Sequence, residues 1–310
     1  MAEPANQRAP HGTHVVPGRR HPVLDIAYWD SLLDIGDEEV FRGGINSPLD
    51  LARVERYRRQ AAVHVEIGST TPCDIFVWSQ HVGFDEDQRL TRLGGLPWRD
   101  RKLAWPTDGQ GHFLQFLGQI NFSDSTDLVP FELPGEVLLF FGSWGGGSVW
   151  SPPDAIYFEW APEELKSPFE FGDEPLSLCL LPFHYEGVIH RTVQYSDLKQ
   201  ADLAFETAGF EDSWYLGQMQ GTLIGSRAEI PQGWPLDDDA GETLIACLGS
   251  FYFSGDWPLC NVATAIQVVR HDGTSFGLTS DALSMGIQDA GCAWVFRTHD
   301  GRYALDAAGG

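Results

Sequence analysis

Positive charge is what this chain has least of: 20 Lys and Arg stand against 44 Asp and Glu, a net charge of −24. A surface that acidic repels phosphate backbones and anionic headgroups, so neither nucleic acid nor a membrane surface is an expected partner. Cysteine is scarce too. Cys73, Cys179, Cys247, Cys260 and Cys292 are odd in number and scattered, with no Cys-x-x-Cys pair, which argues against a disulfide framework and against a zinc ribbon. Core thiols in a reduced cytoplasm are the expectation. No apolar run is long enough to span a bilayer, and the first twenty residues form no secretory signal. Absent as well are a phosphate loop, a His-Glu-x-x-His helix and a dinucleotide fingerprint, and Gly273-Thr274-Ser275-Phe276-Gly277 fits the Gly-x-Ser-x-Gly pattern but lies at a predicted Asp-Gly hairpin rather than between a strand and a helix, so neither a local-motif enzyme nor a bound cofactor is expected.

What the chain does have is apolar bulk. At 310 residues, 43% hydrophobic and 12% aromatic, it can bury a large core. Ser47-Pro48-Leu49-Asp50 is a helix start, with Ser47 to cap and Pro48 at the first helical position, and Leu51, Val54, Tyr57 and Ala61 then fall on one face. Val63–Ile67 and Asp74–Trp78 behind a Thr71-Pro72 turn read as short strands, Gly135–Gly142 and Ala155–Trp160 as longer ones. Val23–Leu33 fits a short helix or an extended arm. Pro162-Glu163-Glu164-Leu165 fits a short helix start, Glu174–Tyr195 two strands around Pro182, and Tyr195–Phe205 a capped helix. Two hairpins are predicted near the end, turning at Asp272-Gly273 and Asp300-Gly301.

One stretch in particular organises the chain: Leu93-Gly94-Gly95-Leu96-Pro97-Trp98, then Trp105-Pro106, then the strand His112–Phe122. Paired glycines followed by a residue before proline force a bend and an extended exit. Gln115 and Gln119 inside the strand need partners, and an internal polar anchor is the common role for such residues. Ile224-Gly225, Trp234-Pro235 and Leu248-Gly249 echo the stretch, with Gly94 to Gly118 and Gly225 to Gly249 both spanning 24 positions. The expected fold is therefore α+β, mainly antiparallel sheet with a few helices and an internal duplication. Its parts would be a disordered tail over 1–22 and halves over 23–210 and 211–310, packed as one body.

Leu93–Pro97, the Trp-Pro pair and Phe116–Phe122 resemble the YwqG-like family of bacterial proteins, which is defined by a domain of unknown function; Gly118 stands where that family more often has alanine. Met285–Gly291 is similar to the family's late Trp-Gly-Asp-x-Gly segment but departs at Ile287 and Gln288. The resemblance spans roughly residues 70 to 305. It implies a doubled architecture and no settled activity.

Candidate chemistry is sparse. Trp98, Trp105, Trp144 and Trp150 lie near glycines or turns, where an exposed indole stacks on a sugar or receives a partner's side chain, although aromatics in a β-rich core more often simply pack. His184, Glu186 and His190 could meet as a metal or hydrolytic site only if the fold gathered them, because their spacing matches no standard ligand set. Asp237–Glu242 is an acidic turn without the ligand alternation of a calcium loop. Three functions follow: a non-enzymatic module for a basic protein partner, of immunity or regulatory type; a small-molecule or carbohydrate-binding protein with a pocket between the halves; and a hydrolase with a dispersed site.

Overall fold

The computed structural model describes residues 12–14, 16–33, 45, 47–63, 68–80, 88–143, 148–149, 156–169, 184–195, 198–207, 209, 221–227, 243–251, 267–269, 275–277, 285–287 and 291–308. The strands are β1 Thr13–His14, β2 Val23–Leu24, β3 Thr70–Gln80, β4 Arg92–Gly94, β5 Gln115–Asn121, β6 Val137–Gly142, β7 Ser148–Val149, β8 Ile156–Ala161, β9 His184–Tyr195, β10 Thr222–Arg227, β11 Thr243–Gly249, β12 Gln267–Val269, β13 Ser275–Gly277, β14 Gly286–Ile287, β15 Cys292–Arg297 and β16 Tyr303–Ala308. Helices are α1 Ile26–Ser31, α2 Pro48–Ala62 and α3 Leu198–Thr207. The α+β expectation holds: the architecture is mostly antiparallel sheet with three helices among the described residues.

One sheet of twelve strands runs β16-β15-β11-β10-β3-β9-β4-β5-β6-β8, with β1 and β2 attached to the side of β9. It curls until its two end strands touch. Apolar residues from both arms fill the interior, among them Phe76, Trp78, Leu93, Ile120, Phe140, Tyr185, Ile224, Leu248 and Val295. Outside, Leu51, Val54 and Ala61 of α2 and Phe205 of α3 cover Ile75, Val77 and Val188 on the central strands. Helix α2 starts as its sequence demands. Ser47 accepts from the Asp50 N–H at 3.1 Å, and the Asp50 carboxylate accepts from the Ser47 N–H at 2.9 Å, a reciprocal cap.

The two arms correspond strand for strand about the β3/β9 pair. On one side β4 pairs β5 and β5 pairs β6; on the other β10 pairs β11 and β11 pairs β15. A bulge at Leu117 separates the pairs Phe116–Phe141 and Gly118–Phe140, and one at Ile245 separates Leu244–Phe296 and Ala246–Val295. Thr91 Oγ1 accepts from the Asn121 N–H and Thr222 Oγ1 from the Gly249 N–H, both at 3.0 Å. The first strands thus match at an offset of 131 and the second at 128. An offset of 131 sets Gly94 against Gly225. Gly118, however, corresponds to Ala246 rather than Gly249, and Asn121 is the counterpart of Gly249. Both glycines answer to local crowding instead: a Cβ on Gly118 would lie 2.6 Å from the Arg92 carbonyl oxygen, and one on Gly249 2.6 Å from the Gly221 carbonyl carbon.

Several sequence expectations change. The span 1–22 is not a free tail throughout: β1 pairs β2, and His21 is fully buried. Val23–Leu33 is both an arm and a helix, since β2 leads directly into α1. Thr71-Pro72 is no turn, because β3 runs through it. Val193, opposite Pro72, has its carbonyl oxygen taken by Arg58 at 2.9 Å on the far side, so the proline nitrogen faces the β10 side, beyond the Asp74–Phe76 segment that β10 pairs. Pro162–Leu165 forms bends rather than a helix. The hairpins β12/β13 and β15/β16 form as predicted. The strand expected at Val63–Ile67 (beyond Val63), the region around Pro182, the Trp234-Pro235 corner and Asp237–Glu242 lie outside the described residues.

Candidate functional site

The loop between β4 and β5 is built to be rigid. Gly94 and Gly95 both take left-handed backbone, with φ of 63° and 70°, and the His184 ring sits against Gly95, 3.0 Å from where a Cβ would be. The chain then turns through Pro97, and the Trp98 N–H donates to Gln119 Oε1 at 2.8 Å. Gln119 in turn donates to the carbonyls of Gln88 and Leu90 at 2.7 and 2.8 Å. That glutamine is the internal anchor its sequence context implies.

Two side chains lock the remainder of the loop. Arg99, only 3% exposed, pairs with Glu159 on β8 and donates to the Leu103 and Ala104 carbonyls at 3.0 and 2.8 Å. Beneath it, the Trp105 indole N–H donates to the Leu114 carbonyl at 2.6 Å, and the ring meets Phe141 and Phe169 edge-on, each at 5.4 Å. The guanidinium of Arg99 lies 5.7 Å from the centre of that indole. A charge buried this way is stable because its donors are satisfied and its counterion is adjacent.

The loop shows solvent a mixed face, with Arg101, Lys102, Thr107, Gln110 and His112 exposed beside large apolar side chains. Leu103 is 55% exposed and Phe113 52%, and Tyr157 on β8, its ring 6.1 Å from that of Phe141, is 45% exposed. Burial, with the Glu159 carboxylate as a second cause, pushes the Tyr157 hydroxyl pKa up. Of the tryptophans picked out from sequence, Trp98 is half-buried at this rim, its indole N–H donating to the Pro162 carbonyl at 3.0 Å. Trp105 is in the packed layer below. Trp144 and Trp150 lie outside the described residues.

Residues 91–219 match the model of a domain of unknown function, DUF1963. The matched segment is less than half of the chain and contains the whole rigid loop. No curated protein matches the chain.

Within that segment, His184, Glu186 and His190 are not gathered. All three lie on the same face of β9, but six residues of strand put His184 and His190 about 20 Å apart. No cluster of metal-ligating side chains occurs among the described residues. Burial pushes the His190 imidazole pKa down, against the opposing charges of Glu55 and Asp74. The dispersed hydrolytic site is therefore withdrawn for these residues.

A buried polar network ties the loop after β5 to the central strands. Asp74, fully buried, accepts from Arg191 through both oxygens, at 2.5 and 2.9 Å, and from the Ser125 hydroxyl at 2.7 Å. Arg191 also reaches Asp127 at 2.7 and 3.1 Å. Nearby, one Asp124 oxygen receives the Arg20 and His21 N–H groups at 2.9 and 3.0 Å and the His21 ring at 3.2 Å.

These contacts make stability depend on pH. Burial pushes the Asp124 carboxyl pKa up, but the hydrogen bonds from His21 and Arg20 outweigh it and the net shift is downward. For Asp127 the Arg191 hydrogen bond is the leading cause of a lowered value. With folded pKa values below unfolded ones, the unfolded chain takes up more protons in acid. The stabilisation is thus present above the ordinary carboxylate range and lost as pH falls through the folded values. Urea midpoints are expected to hold from neutrality to about pH 5 and to drop below about pH 4, with a smaller drop in Asp124→Asn. Equal acid sensitivity in that variant would locate the effect elsewhere.

Proposed function

We propose that this protein is a non-enzymatic module that docks a basic partner protein through the corner formed by Leu103, Phe113, Tyr157 and Trp98. The observation that carries this reading is the exposure of Leu103 and Phe113 on a loop already pinned by Arg99 and Trp105, with Tyr157 exposed on β8. A rigid apolar contact loses little conformational freedom on binding, and exposed apolar groups of this kind mark interaction sites. The excess of acidic residues supplies the long-range attraction for a positively charged partner. Trp105 serves by supporting the corner from below. A bacterial cytoplasmic setting with an immunity-type or regulatory role fits this scheme. The matching bulges and threonine bonds support an origin by internal duplication, with halves over 23–210 and 211–310.

The test is capture from native lysate by the wild type and by a Leu103→Asp/Phe113→Asp variant, followed by affinity measurement on any basic protein recovered. The variant is expected to bind at least about tenfold more weakly, a loss of about 1.4 kcal/mol, and wild-type binding to weaken as salt is raised. Partners that bind both forms equally would overturn the assignment.

A further inference from the structure

The curled sheet is shut by side chains, not by a ladder. Among the described residues β8 pairs only β6 and β16 only β15. Where these edges meet, the Trp160 and Tyr303 rings stand edge to face at 5.4 Å, and the Tyr303 hydroxyl donates to the Glu132 carbonyl at 3.2 Å. Arg297, opposite Tyr303 in the β15/β16 register, places its guanidinium 4.7 Å from the centre of the Phe131 ring.

One donor on this seam, an indole N–H, is unused, and the Arg297 guanidinium bonds the Tyr303 hydroxyl but no carboxylate among the described residues. The Trp160 indole N–H is shielded from solvent and has no acceptor, an arrangement native proteins seldom keep. Arg297 makes no ion pair among the described residues, although acids outnumber bases by 44 to 20 and Arg20, Arg99 and Arg191 each hold a carboxylate. Trp294 has an unused indole N–H as well, but it lies in an apolar cluster with Cys247 and Phe296. At the seam alone do an unused indole donor, a cation without a carboxylate and several aromatic rings coincide among the described residues.

We propose that the seam between β8 and β16 binds a small aromatic carboxylate. Its ring lies against Trp160, Tyr303 and Phe131, its carboxylate takes the Arg297 guanidinium, and the Trp160 N–H supplies a second donor. Aromatic rings favour offset or edge contacts of this sort, and the planar guanidinium suits a carboxylate. Admission requires the seam to part, which breaks the Trp160–Tyr303 ring contact, the Tyr303–Glu132 hydrogen bond and the Arg297–Phe131 contact instead of a strand ladder.

Isothermal titration of the full chain with indole-3-acetate and 4-hydroxyphenylacetate tests this. Saturable one-to-one binding is expected, weakened about tenfold or more in Arg297→Gln and in Trp160→Phe. The methyl ester of indole-3-acetate is expected to bind more weakly than the acid and to be indifferent to Arg297→Gln. That variant changes a half-buried strand end, so it keeps the test open if Trp160→Phe misfolds. No saturation by either acid up to about 1 mM, or undiminished binding in Arg297→Gln, would overturn the proposal.

Discussion

Asp74→Ala is expected to destabilise the protein by about 3–5 kcal/mol, the range for removing one partner of a buried ion pair. Asp74 has no exposure at all and sits on β3 opposite Arg191 of β9, at the centre of the sheet. Without it the Ser125 hydroxyl loses its acceptor, and Arg191 keeps only Asp127. Substituting Asp74→Leu together with Arg191→Met removes both charges, and most of the loss is then expected to return, because well-packed apolar residues replace buried ion pairs at little net cost. Urea unfolding of the three proteins measures both effects. A single-substitution cost below about 1 kcal/mol would show that the pair is not what joins these strands.

The second large effect is expected at His21. Its ring is fully buried, edge-on to Phe76 at 5.5 Å. The Thr91 N–H donates to Nε2 at 2.9 Å, and since a backbone N–H only donates, Nε2 is the bare nitrogen. Nδ1 therefore carries the proton, which it donates to Asp124 at 3.2 Å. His21→Ala orphans the Thr91 N–H, takes a donor from Asp124 and leaves a void beside Phe76. About 3 kcal/mol is expected from these losses. The effect has a local signature as well, because amide exchange across residues 12–33 is expected to accelerate more than exchange in β5 and β6. Uniform acceleration would indicate that the N-terminal segment is held instead by Arg20, which pairs with Glu136 at 2.5 Å.

Local signals were legible in the sequence and distant ones were not. The α2 cap is written within four residues, Ser47 to Asp50, and the β15/β16 hairpin in Asp300-Gly301, because these structures are set by neighbours along the chain. Gln119 was recognisable as an anchor because an amide in an apolar strand must find partners nearby. Pro72 misled because its neighbourhood spells a turn, while the missing β10 pairing that lets it sit in a strand is contributed more than 140 residues later. Arg99 lies within Trp98-Arg99-Asp100-Arg101-Lys102, which resembles a solvated charge run; its counterion, Glu159, is 60 residues away. Glycine spacing suggests an echo between the halves but carries no register for it. A shift of three between first and second strands is set by the bulges and by the intervening loops, and glycine spacing cannot encode it. The apolar corner was half visible, since tryptophans near turns drew attention while the exposed Leu103, Phe113 and Tyr157 did not.

The exchange of leading strands has a consequence for dissection. In chain order β3 precedes the arm β4-β5-β6-β8, yet it pairs with β10 of the other arm, while β9, which precedes that other arm, pairs with β4. Cutting the molecule at any point between the arms therefore parts a strand from its neighbour and opens the shared interior to water. The matched segment 91–219 would carry β9 without β3 along its full length. Homology boundaries and autonomous folding boundaries are different things in this protein, and excised fragments are poor stand-ins for the intact chain.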